Sequence, residues 1–217
     1  MMRITGLFAF FIALVITGCA TQPKYDYTAF KQSNPKSILV LPPTNHSPDV
    51  KATYSMLSQV TFPLAESGYY VYPVAVVDET FRQNGLTSPD DIQAVPVSKL
   101  HQIFGADAVL YIDIKDYGTS YMVLSSNTVV TADAKLVDLK TGQLLWKGSA
   151  TASSGEQESS SSSLVGMMVK AVVNQIAHTI SDKGHDIAGI TSARLLSAGH
   201  PNGILFGPKS PMYGKAQ

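Results

Sequence analysis

The chain holds a single cysteine, Cys19, among 217 residues. No intramolecular disulfide can form, so the fold has to stand on its apolar core alone. Charge is sparse as well, with 16 basic residues against 16 acidic ones, and no stripe of Lys and Arg stands out. Nucleic acid and anionic headgroups are therefore not expected partners, since both demand clustered positive charge. The longest purely apolar run, residues 7–16, is about half of the ~20 residues a transmembrane helix needs. There is no Gly-x-Ser-x-Gly elbow, phosphate loop, His-Glu-x-x-His pair or dinucleotide fingerprint. An enzyme is not expected, nor a metal or other cofactor.

The N-terminus carries the sharpest signal. Arg3 is a short positive region, residues 7–16 an apolar core, and Thr17-Gly18 the small residues a signal peptidase needs. The stretch Leu14-Val15-Ile16-Thr17-Gly18-Cys19 resembles a bacterial lipobox. That resemblance implies removal of residues 1–18, a diacylglyceryl thioether on the Cys19 sulfur and a third acyl chain on its new amine. Cys19 is thus the expected lipid attachment site and the membrane an expected partner. Each buried CH₂ is worth about 0.8 kcal/mol, so three chains would hold the protein permanently. Ala20, where an Asp would be a retention signal, resembles the lipoproteins sent on to the outer membrane, with the domain facing the periplasm. Cleavage removes only Arg3 among charged residues, leaving 15 basic side chains against 16 acidic.

Residues 19–35 read as the lipidated N-terminus and a flexible tether, polar and without an apolar period. As a coil of roughly 15 residues it would span about 20 Å. Tyr25, Tyr27 and Phe30 within it are expected to dock on the domain. Residues 36–198 are expected to form one α/β domain, three-layer-like, with a mixed sheet that begins as a βαβ unit and ends in an antiparallel hairpin. Ser37-Ile38-Leu39-Val40-Leu41-Pro42-Pro43 is the first strand, buried on both faces. Residues 49–67 follow as a helix kinked by Pro63, and residues 69–77, rich in Tyr and Val, as a second strand. Short helices are expected at residues 78–84, after Ser88-Pro89, and from Pro96 to a Gly105 cap.

Residues 108–115 and 129–137 alternate as strands. Asp138-Leu139-Lys140-Thr141-Gly142 then turns the chain into residues 143–152, with Leu144, Trp146, Gly148 and Ala150 facing one way. Residues 153–163 hold seven serines and read as a mobile loop suited to binding. Residues 164–183 place Val165, Met168, Val172, Ile176 and Ile180 on one helical face, with Gly184 as terminator and a further helix at 185–197. The tail, residues 199–217, is apolar around Ile204, Leu205 and Phe206 and is expected to fold back on the domain.

Several polar groups invite a chemical reading. His178 and Asp182 stand four apart on the expected long helix, a spacing for two metal ligands, yet it equally suits a cation at a helix end. Asp113 with Asp116, or with Asp133 across a hairpin, offers paired carboxylates, against the plainer reading of solvated strand faces. The serine run lacks the positioned base a nucleophile needs. Asn45, His46, Asp78 and Glu79 would wall a ligand site at the strand ends of a parallel sheet.

The order of these pieces, with Gly105-Ala106-Asp107-Ala108-Val109-Leu110, the hairpin from Leu136 to Trp146 and the tail Gly203-Ile204-Leu205-Phe206-Gly207-Pro208, resembles the periplasmic lipoproteins of the neisserial GNA-type vaccine-candidate family. Over residues 36–183 it is more loosely similar to the N-terminal domain of TolB, to CsgG and to the penicillin-binding-protein activator LpoB. The resemblance implies an α/β domain used for contacts with envelope proteins, as a homo-oligomer through an edge strand or the long helix. Small-ligand binding is the alternative. A CsgG-like secretion subunit ranks behind both, because no pair of long alternating segments is visible for a barrel.

Overall fold

The computed structural model describes residues 25–122, 125–156 and 183–215. The lipobox, the serines beyond residue 156 and the expected long helix at 164–182 lie outside the described residues. A mixed sheet organises the domain. Its strands are β1 (Ser37–Val40), β2 (Thr44–Asn45), β3 (Tyr70–Val71), β4 (Ala108–Met122), β5 (Ser125–Asp138) and β6 (Leu144–Ser153). The order is β3-β1-β4-β5-β6, with β2 also on β4. β1 runs parallel to β3 and β4, while β4–β5 and β5–β6 are antiparallel. β1 and β2 occupy the same edge of β4, pairing with residues 108–110 and 113–114 in turn. Pro42 and Pro43 separate them because neither has an N–H for the ladder.

Helices cover one face of the sheet fully and the other in part. On the first, α2 (Ala52–Gln59), α3 (Thr61–Glu66) and α7 (Lys183–Leu196) bury Ile38, Val40, Leu110, Ile112, Ile114 and Leu136, with Trp146 only 1% exposed. On the second, α4 (Val74–Gln83), α5 (Pro89–Gln93) and α6 (Val97–Phe104) cover Leu39, Leu41 and Val109. The three-layer α/β arrangement is thus as expected, and the alternation along β1 explains it: residues 38 and 40 point one way, 39 and 41 the other. Gly105 caps α6 at φ +65°, a left-handed position that suits glycine.

Several expectations give way. Residues 25–35, read as tether, are built into the domain. α1 (Thr28–Ser33) forms there, and Phe30 sits in the core at 4% exposure. The helix expected over 49–67 divides at Val60, since Pro63 cannot donate to the carbonyl four residues back. The strand expected over 69–77 shrinks to Tyr70–Val71. Pro73 caps α4 instead, and Val77 and Phe81, four apart, bury one face of that helix despite a strand-like composition. Gly184 is itself helical, in α7, where a Cβ would come 2.7 Å from the Tyr117 ring, and the helix it is expected to end lies outside the described residues.

The hairpin at Asp138 forms, but a register shift between Leu136 and Val137 leaves Leu145 as the extra residue of β6. Leu145 is consequently buried and Leu144 43% exposed, so Leu144 does not share the face of Trp146. The chain also has the pair of long strands that seemed missing. β4 and β5 run for 15 and 14 residues and stay paired from Ala108 to Met122. Gly118, the bulge at Ile114/Asp116 and the run of Ser, Thr and Asn interrupt the alternation, but the ladder skips only Lys115 and resumes.

Candidate functional site

Beyond Tyr111 no helix among the described residues lies over the second face of the sheet, and charge replaces apolar residues there. Cross-strand register sets the layout. Tyr111, Lys135 and Lys147 form one row, and Asp113, Asp133 and Ser149 the next. Like charges thus stand directly opposite one another twice, an unfavourable pairing for an isolated sheet. The Lys135 ammonium lies 4.7 Å from the centroid of the Tyr111 ring. A groove of about 580 Å³ runs over these rows, closed at one end by Thr44 and Gln93. Gln93 is fixed by donating to the carbonyls of Pro42 and Ile112, at 2.9 and 3.0 Å.

Asp113 is the most heavily bonded group of the groove. It accepts from Thr44 Oγ1 at 3.0 Å, pairs with His46 Nε2 at 2.8 Å and with Lys115. Burial pushes its carboxyl up, but the Lys115 and Thr44 hydrogen bonds and the neighbouring His46 outweigh this and hold it below the usual carboxylate range. A carboxylate held ionised has no proton to give near neutrality, so Asp113 is not placed to serve as a general acid. Asp116 is exposed beside the bulge and opposite Thr131, away from that row. The ligand wall expected from four polar residues does not assemble. Asn45 bonds the Asp49 carbonyl and His46 meets Asp113, while Asp78 lies in helix α4 beside Tyr54, and Glu79 bonds Gln83. Its premise was a strand end at residues 77–79, and those residues are helical. Cys19, His178 and Asp182 lie outside the described residues.

One polar node escaped the sequence reading. His185, in the first turn of α7, has Nδ1 3.0 Å from Ser55 Oγ and receives the Gln59 amide on Nε2 at 2.7 Å. Tyr117 donates to the same Ser55 hydroxyl at 2.8 Å. A serine beside a histidine suggests a nucleophile and its base, but an amide rather than a carboxylate orients this ring. The node pins α7 to α2 and β4. Its partners are 126 and 130 residues apart in sequence, which leaves no local pattern to find.

At the β6 edge a second hollow of about 430 Å³ lies among Tyr25, Gly148, Arg194 and the tail residues His200 and Asn202. Arg194 donates to the Thr151 carbonyl at 2.8 Å and pairs with Glu156, and the Lys147 N–H bonds the Tyr25 hydroxyl. Two groups of this edge are therefore already taken. The tail does fold back: Trp146 donates to the Asn202 carbonyl at 3.0 Å, Tyr69 to that of Leu205, and Ile204 is fully buried.

A model of the family described as "Putative lipoprotein GNA1162-like" matches residues 25–209. The chain is 52% identical over 198 residues to "Putative lipoprotein NMB1124/NMB1162" of Neisseria meningitidis serogroup B, covering 90% of this chain and 92% of that one. The crystal structure of lipoprotein GNA1162 from Neisseria meningitidis superposes with a TM-score of 0.55 at 58% identity, over 67% of this chain and all (100%) of the other. The C-terminal domain of LpoB from Salmonella enterica gives a TM-score of 0.40 at 20% identity, over 55% and 83% of the two chains.

Proposed function

The chain belongs to the GNA1162-like lipoprotein family, and on that premise we propose that it is a non-catalytic docking module of the bacterial envelope, anchored through Cys19 and turned toward the periplasm. Ala20 after the anchor favours the outer membrane. The observation that carries the docking reading is the open face of β4, β5 and β6, where a row of lysines and a row of carboxylates lie side by side over a broad groove. No helix among the described residues covers this surface, and its opposed like charges are better satisfied by a partner of complementary pattern than by each other. Small-ligand sites are mostly apolar and enclose most of their ligand. This groove is open and would leave most of a small ligand uncovered, which favours a protein partner. Self-association belongs to the same reading, with the partly occupied β6 edge as the less available surface.

The test is crosslinking in living cells, followed by affinity purification of the lipidated chain. An envelope protein captured by the native chain, lost with Cys19→Ala and with Lys135→Glu plus Lys147→Glu, is the expected result. Capture unchanged by the charge reversals would remove the open face from the reading, and recovery of the chain's own copies alone would replace it with a homo-oligomer.

A further inference from the structure

Residues 20–24 are all that separates Cys19 from Tyr25, the first residue described. Tyr25 is firmly held. Its N–H donates to Asn202 Oδ1 at 2.9 Å, its hydroxyl takes the Lys147 N–H, and its ring stands 5.0 Å from that of Tyr27. Tyr27 in turn donates to the Gly203 carbonyl, and Phe30 is core. Tyr25 is therefore held at one defined point, beside the β6 edge. Six fully extended steps of 3.3–3.6 Å reach at most about 20 Å. Strand β4 alone, with 15 residues at about 3.3 Å, is about 50 Å long. The connector is too short for the domain to turn freely above a bilayer.

We infer that the β6 edge around Tyr25, Ser149 and Pro201 lies against the phospholipid surface of the membrane that holds Cys19, and that the β3 edge points away from it. The inference rests on the lipid-anchor reading above. Headgroup charge does not drive the contact, because Lys147 and Arg194 near the exit point are offset by Asp26 and Glu156. The reach of the connector imposes it. The contact also shields the part of the β6 edge that pairs with no strand among the described residues. A partner that uses the open face meets it close to the membrane.

The experiment uses the full lipidated chain in vesicles of phosphatidylethanolamine and phosphatidylglycerol doped with a nickel-chelating lipid. Single spin labels go on Ser149→Cys and on Val76→Cys, the latter 61% exposed at the far edge, with Cys19 blocked by its own lipid. Relaxation by surface nickel is expected to be several-fold stronger at position 149 than at 76. The same contrast is expected in phosphatidylcholine vesicles. Equal relaxation, or the reverse order, overturns the inference while leaving the anchor intact. Mass spectrometry of the N-terminal peptide separates the two failures: an unacylated Cys19 sinks the anchor and the inference together. A flexible insert of about 30 Gly and Ser residues after Ala20, spanning roughly 30 Å, is expected to abolish the contrast, and its persistence would overturn the argument from reach.

Discussion

The two faces of the sheet are made by the same strands and have opposite chemistry. One is dry from β1 to β6, under α2, α3 and α7, while the other is dry only as far as Tyr111 and then turns to Lys135, Lys147, Asp113 and Asp133. Alternation makes this economical, because each residue of a strand can be assigned to one face without disturbing the other. The lesson is that burial and surface charge are separable in this domain. The covered face holds the fold, and the charged rows lie where no helix among the described residues covers them.

That separation can be broken most severely on the covered side. Trp146 is 1% exposed and donates to the Asn202 carbonyl, which ties the tail to the sheet. Trp146→Ala is expected to cost about 3–5 kcal/mol in urea unfolding, as large aromatic truncations in cores do. Gly148, whose added Cβ would sit 2.4 Å from that ring, shows how closely the site is filled.

A smaller effect is expected at the margin between the faces. Asp138, 6% exposed, accepts from the Lys140 and Thr141 N–H groups at 2.8 and 2.7 Å and from Ser33 of α1. Burial pushes its carboxyl up, but these bonds outweigh it and hold the group below its ordinary range. The folded state therefore resists protonation that the unfolded chain accepts near pH 3.9. The stabilisation is complete above that value and is lost as pH falls through it toward the lower folded value. Asp138→Asn is expected to cost about 2 kcal/mol at pH 7 and to flatten the acid limb of a melting-temperature profile below about pH 4. An unchanged acid limb would assign the acid sensitivity elsewhere.

The least effect is expected on the open face. Lys135→Ala or Lys147→Ala should change stability by no more than about 0.5 kcal/mol in thermal melts, and removing one of two opposed lysines relieves repulsion. A loss comparable to that of Asp138→Asn would show that the open face is structural after all.

Much of this was legible in one dimension. The strand at residues 37–40, the turn at Asp138, the Gly105 cap and the alternation along β4 follow from spacing and from residues whose backbone preferences are local. The candidate site was not legible. Asp113, Asp133, Lys135 and Lys147 were visible as strand-face charges, but their rows exist only through the register of three strands.

By itself the sequence determined the α/β class, the lipobox-like segment ending at Cys19 and the absence of any disulfide, because period, composition and cysteine count are properties of the chain. Tertiary structure alone decided that residues 25–35 belong to the domain, that residues 74–77 are helix, that Leu145 and not Leu144 is buried, and that the lysines and carboxylates of three strands line up in rows. Each of these depends on partners far away in sequence, and the burial they provide outweighs the local preferences of a few residues.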